Sequence, residues 1–154
     1  MAIPPSVAEF LAGKRFAVAG VSRDSRQPAN AIYRKLRASG YEVVALNPRA
    51  TEVEGARCYP DLGAVPGSID GLVVASPPGT AIELVRQSAD RGVSRIWFHR
   101  SLGRGSVAAD AVRECEVRGL SCIVGGCPLM YCEPVDPFHR CLRWVLRWGR
   151  RVPG

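Results

Sequence analysis

The sequence contains no apolar run approaching the roughly 20 residues that a membrane-spanning helix needs. Its opening stretch carries Pro4, Pro5 and Glu9 where a secretion signal requires an unbroken apolar segment. These two features set the expectation of a cytoplasmic protein. It also shows no internal repeat, low-complexity tract or linker, and 154 residues are too few for two full domains but enough to bury one core. Histidine is scarce, with only His99 and His139, and neither stands in a recognisable catalytic motif. No nucleophile with an evident base can be assigned, so catalysis by this chain is not expected. The six cysteines include no paired CxxC, and a chain this rich in Val, Leu and Ile needs no disulfide staples, so free thiols are expected. Cys127, Cys132, His139 and Cys141 are acceptable zinc ligands close together in sequence, but their spacing fits no zinc pattern.

What is present is an alternation of short apolar, β-rich runs with amphipathic segments, the pattern of a parallel sheet wrapped by helices. Strands are predicted at 15–20, 41–46, 71–75, 95–98 and 120–124, continuously apolar as strands covered on both faces are. Between the first two, Ala29, Ile32, Tyr33 and Leu36 recur at helical spacing, with Pro28 to open a helix and Gly40 to follow it. Helical spacing returns at Ala81, Leu84, Val85 and Ser88, and at Val107, Ala111, Val112 and Cys115 with Ser106 as a candidate cap. A short helix over 6–12 is predicted before the first strand, and 51–69 reads as loop with a helical turn near 61–64. The expected fold is α/β: a three-layer Rossmann-like domain over 1–136, with a central parallel sheet of about five strands and helices on both faces.

In such sheets ligands bind beyond the carboxyl ends of the strands, so the residues following each strand carry the functional signal. The first strand is followed by Gly20, Val21, Ser22, Arg23, Asp24, Ser25 and Arg26, which join a glycine, hydroxyls and guanidinium groups to a helix start, a combination suited to phosphate. The turn lacks GxGxxG, and the second strand ends in Asn47, Pro48 and Arg49 where an NAD site places an acidic residue. NAD is therefore disfavoured, while Arg49 suits a ribose-borne phosphate such as that of NADP or coenzyme A. The third strand leads into Ser76, Pro77, Pro78, Gly79 and Thr80, and the fourth ends Trp97, Phe98, His99, with Trp97 read as core.

Taken in order, the Gly20-Val21-Ser22 turn, the Gly40-Tyr41-Glu42-Val43 to Asn47-Pro48-Arg49 segment, Trp97-Phe98-His99 and Cys127-Pro128 resemble the Rossmann-like CoA-binding domain family over about 15–134. That family includes the amino-terminal domain of the succinyl-CoA synthetase alpha subunit and short stand-alone bacterial proteins. The resemblance implies that coenzyme A or an acyl-CoA is bound, with no catalysis of its own. It places the phosphates over Ser22 and Arg23, the adenosine end near Arg49, and the cofactor beside Ser76, Pro77 and Pro78. Gly20, Val21, Arg26, Asn47, Pro48, Thr80, His99 and Cys127 complete the expected cofactor site. His99 departs from the family, whose members often carry glutamine there. A thiol at Cys127 could exchange with that of coenzyme A, although a structural cysteine is the favoured reading.

The formal charge of +7 is concentrated at the carboxyl end: five arginines follow Asp136, and the remainder has about +2. Residues 137–154 form a predicted basic amphipathic helix, with Phe138, Cys141, Leu142, Val145 and Trp148 as its apolar stripe. The stripe is expected to pack on the domain or on a second copy, giving a homodimer, with the arginines solvated. Contact of this tail with a membrane surface or nucleic acid is the less favoured reading. Two other functions compete with CoA binding: an NADP-dependent oxidoreductase, and an interaction protein working through the arginine-rich tail.

Overall fold

A computed structural model describes residues 2–153. Seven strands form one sheet: β1 (Arg15–Ala19), β2 (Glu42–Leu46), β3 (Glu52–Val53), β4 (Ala56–Tyr59), β5 (Gly71–Val74), β6 (Arg95–Phe98) and β7 (Ser121–Val124). Their order is β3-β4-β2-β1-β5-β6-β7, and all neighbours run parallel except the β3–β4 hairpin. The helices are α1 (Pro5–Leu11), α2 (Pro28–Ala38), α3 (Ala81–Asp90), α4 (Ala109–Val117) and α5 (Pro137–Trp148).

Strand alternation divides the apolar side chains between two cores. Phe16 and Val18 of β1, Val73 of β5, Trp97 of β6 and Ile123 of β7 join Val7, Phe10, Ile32, Tyr33, Leu36 and Leu146 on one face. Ala17, Ala19, Leu72, Val74, Ile96 and Phe98 point the other way and pack with Leu84, Val85, Ala111 and Cys115. Helices α1, α2 and α5 therefore cover one face and α3 and α4 the other, which gives the three layers. Trp97 is fully buried as expected, its indole N–H donating to the Gly125 carbonyl at 2.9 Å.

Two expectations are corrected. The five strands read from the sequence are all present, but the supposed loop at 51–69 contributes two more, β3 and β4, which extend the sheet beyond β2. Glu54 (φ 51°) and Gly55 (φ 70°) form the two-residue turn between them, the left-handed pair that a tight hairpin requires. Ser106 is not a helix cap: α4 begins at Ala109, while Ser106 is buried and its N–H donates to the His99 carbonyl at 2.8 Å. The α5 stripe does not pack inward as a whole. Leu146 enters the core and Leu142 packs against it, but Phe138, Val145 and Trp148 are exposed. The helix has an apolar arc wider than the narrow contact available on the domain.

Candidate functional site

Chain order reverses at β1, with β2 on one side and β5 on the other, so the crevice beyond these strand ends is the natural ligand position. Gly20 makes it possible. At φ +100° its N–H donates to the Leu46 carbonyl at 3.0 Å, and a Cβ there would lie 2.7 Å from the Ala75 oxygen and 2.8 Å from the Ser76 nitrogen. Only glycine combines that backbone conformation with so close an approach of the β1 and β5 exits.

The turn after Gly20 is held from below by Asn30, the third residue of α2, which is fully buried. Its Oδ1 accepts the Ser22 N–H at 2.9 Å, and its amide donates to the Ser22 carbonyl and to Glu54 Oε1, each at 2.7 Å. Glu54 also accepts from Arg34 at 2.6 Å, and Arg34 reaches the Ser25 carbonyl at 3.1 Å. The hairpin turn thus braces the β1–α2 turn across the edge of the sheet. Asn30, Arg34 and Glu54 were not singled out from the sequence. Asn30 sits within a helical pattern as one polar residue among others, and its link to Glu54 spans 24 positions.

A second clamp joins the β1 and β2 exits. The Asn47 amide donates to the Val21 carbonyl at 2.9 Å, and its Oδ1 accepts the Arg49 N–H at 2.9 Å. Arg23 donates to the Arg49 carbonyl at 2.7 Å, bringing together two exposed arginines that are far apart in sequence. Pro48 is exposed between them. Because the Ser22 N–H is occupied by Asn30, and Ser22 Oγ accepts the Asp24 N–H at 3.0 Å, the turn offers an anion the Ser22 hydroxyl proton and the Arg23 guanidinium. Arg26 is turned away to Asp24, at 2.9 and 3.1 Å, and holds that carboxyl below the usual range.

Across the crevice, the Thr80 hydroxyl donates to the Pro77 carbonyl at 2.8 Å, so the Ser76 hydroxyl donates to Thr80 Oγ1 at 2.7 Å. Pro78–Thr80 is a single 3-10 turn leading into α3, and its central Gly79 faces open space. His99 follows β6, its N–H bonded to the Val74 carbonyl at 2.9 Å. It is buried, and burial pushes its imidazole down to about 4, so the ring is neutral near pH 7.

Cys127 lies beyond β7 but points into the core, where burial pushes its thiol up to about 12. Disulfide exchange needs an accessible thiolate, and this environment opposes one. Cys132 is likewise buried, whereas Cys141 is exposed on α5 and His139 pairs with Asp136 at 2.6 Å, and among the described residues no three His, Cys, Asp or Glu side chains are grouped to hold a metal ion. The carboxyl-terminal strap covers the β7 exit. The Gly126 N–H donates to the Arg151 carbonyl at 3.1 Å, a Cβ on Gly125 would collide with the same oxygen, and Val152 enters the core. Two concavities flank α5, one between 2–5 and Arg143, Arg147 and Val152, the other among Met130, Glu133, Val135 and Arg140. Neither is lined by the polar groups of the strand ends.

A family model described as a CoA binding domain matches residues 14–133. Acetate--CoA ligase [ADP-forming] II of Archaeoglobus fulgidus is 26% identical over 91 residues, a match covering 58% of this chain but only 14% of the ligase. Among solved structures, a conserved hypothetical protein from Pyrococcus furiosus superposes with a TM-score of 0.64 at 25% identity, over 71% of this chain and 91% of that one. A hypothetical protein from Pyrococcus horikoshii OT3 gives a TM-score of 0.69 at 24% identity, over 79% and 88% of the two chains, and so shares the fold.

Proposed function

The chain belongs to the CoA binding domain family, and from that premise we propose that it binds coenzyme A or an acyl-CoA at the β1–β2–β5 crevice as a binding or sensing module. The observation that carries the reading is the meeting of Arg23 and Arg49 over the reversal of strand order, at the lip of a turn that Asn30 and Asn47 hold rigid. Arg23 is held against the Arg49 backbone with both residues exposed, so two arginines on adjoining turns supply the cations of a phosphate-binding lip beside the Ser22 hydroxyl, and an arginine fork matches phosphate oxygens in a way a lysine cannot.

In this reading Ser22 and Arg23 meet the pyrophosphate, with Gly20 and Val21 providing the close backbone approach beneath it. Arg49 takes the ribose phosphate, with Asn47 and Pro48 shaping the adenosine end. Ser76, Pro77, Pro78 and Thr80 flank the pantetheine arm, and neutral His99 lines the crevice beyond it. Arg26 contributes by neutralising Asp24, which would otherwise repel the anion, and Cys127 shapes the floor without reacting. The A. fulgidus ligase is about seven times longer than the matched segment, by its 14% coverage, so its ligase activity does not come with the resemblance.

Calorimetric titration of nucleotide-free protein with coenzyme A and with NADP tests the proposal. Coenzyme A alone should bind. Arg49→Ala should weaken coenzyme A by about 1–3 kcal/mol, the range of a charged hydrogen bond, and barely change dephospho-coenzyme A. Equal losses for both ligands would take Arg49 off the ribose phosphate; binding of NADP alone would replace the proposal with the oxidoreductase reading.

A further inference from the structure

We propose that the outward face of α5 docks on an anionic lipid bilayer, seating the domain at a membrane surface without crossing it. The face is contiguous and apolar. Phe138 is 63% exposed, Trp144 57%, Val145 49% and Trp148 86%, with exposed Cys141 among them. The Trp144 and Trp148 rings stack at 5.9 Å between centroids, forming one aromatic ledge.

The opposite side of the helix is fixed to the domain, so this exposure is not that of a frayed end. Asp136 caps the helix by accepting the His139 N–H at 3.0 Å, Leu146 enters the core, and the Arg143 guanidinium lies 4.3 Å from the Tyr131 ring centroid. The Gly126–Arg151 hydrogen bond and buried Val152 hold the segment that follows. At about 100° per residue, Arg140 and Arg147 lie beside Trp144 on the rim of the apolar face. Arg150 and Arg151 extend the charge beyond the last turn, and residues 137–154 contain five arginines and no acidic residue.

Charge and area together select the occupant. Two copies of this face would bring two acid-free, arginine-rich helices together. The exposed parts of three aromatics and a valine amount to roughly 550 Å², so a dimer reaching the ~800 Å² per partner of a stable protein interface would have to bury the arginine rim against its own copy. Nucleic-acid phosphates would satisfy the arginines and an unpaired base would stack on a tryptophan, but Phe138 and Val145 would stay in water. An anionic bilayer takes both: tryptophans settle at the headgroup level, arginines pair with lipid phosphates, and an in-plane helix needs no partner groove. The inference is independent of the cofactor reading, since none of these residues lines the crevice.

The test is co-sedimentation and tryptophan fluorescence of the full chain with phosphatidylcholine vesicles, with and without about one-third phosphatidylglycerol. Because Trp97 is buried, a blue shift reports Trp144 and Trp148. Binding with a blue shift on the anionic vesicles alone, weakened by salt, is expected. Replacing Arg140, Arg147 and Arg150 by Gln should lower partitioning about a hundredfold, roughly fivefold per charge. Trp144→Ala with Trp148→Ala should abolish the shift and lower binding at least tenfold. All five positions are exposed, and an unchanged circular-dichroism melt confirms that the variants fold. No partitioning at millimolar lipid, vesicle binding without a blue shift, or a lipid-free dimer lost in the tryptophan variant would overturn the proposal.

Discussion

At the scale of single residues, two buried polar side chains stand near the carboxyl edge of the sheet. Asn30 uses both ends of its amide on one turn and a third bond on Glu54, and it is fully buried. Asn30→Ala would strand the Ser22 N–H and carbonyl and leave the Glu54 carboxylate to Arg34 alone. A loss of about 3 kcal/mol in urea unfolding is expected, from the desolvation cost of buried groups left unpaired. Coenzyme A affinity should fall even under conditions where the variant is fully folded, because the turn is no longer fixed. His99 gives a signature in pH. Its folded value of about 4 lies below its ordinary 6.5, so the unfolded chain binds more protons between the two, and stability is complete above 6.5 and lost as pH falls towards 4. That difference amounts to roughly 2 kcal/mol between pH 7 and 4.5. His99→Gln should flatten the stability curve over this interval, as read by urea midpoints at the two pH values; an unchanged slope would show that other groups set it.

Among the elements, the features best read from sequence were those in which local chemistry and tertiary role agree. Pro28 at the start of α2, the Ile32, Tyr33 and Leu36 stripe, and the buried runs of β1, β5 and β6 state their burial in their residue types. The β3–β4 hairpin was invisible because its strands are two and four residues long and its turn is Glu54-Gly55 rather than the usual Asn-Gly or Asp-Gly. The α5 stripe was seen, but periodicity gives amphipathicity without saying which part of a wide apolar arc the domain will cover. Likewise the strand-end residues were identified from the sheet rule, whereas their tethers, Asn30 to Glu54 and Arg23 to Arg49, depend on contacts between distant segments. Gly20 carries the packing of β1 against β5. Gly20→Ala would pay twice, for a positive φ and for a Cβ within 2.8 Å of the β5 exit, and should cost more than ~2 kcal/mol, since backbone strain alone is worth about 1–3. Gly79→Ala, where a Cβ meets nothing within 4 Å and no positive φ is required, is the control and should be near neutral in the same melt.

Over the whole molecule, the fold separates two surfaces. The sheet with its two cores is rigid support, and the polar chemistry lies at its carboxyl edge on turns from β1, β2, β5 and β6. The excess positive charge lies elsewhere, on α5 and the residues after it. A ligand that clamps the β1, β2 and β5 exits together acts on the centre of the sheet, and its binding energy should therefore appear as global stability. At a free concentration one hundred times its Kd, coenzyme A should add about 2.7 kcal/mol. For a chain of this size that corresponds to a rise in Tm of roughly 5–10 °C. Arg49→Ala should show a smaller rise at the same coenzyme A concentration, because its Kd is larger, and should recover the full rise when the ligand is raised in proportion. Truncation after Asp136 should lower the starting Tm, since Leu146 and Val152 leave the core, yet preserve the increment due to coenzyme A. A truncated protein that folds but gains no stability from the cofactor would mean that the carboxyl-terminal strap over Gly125 and Gly126 is part of the binding site.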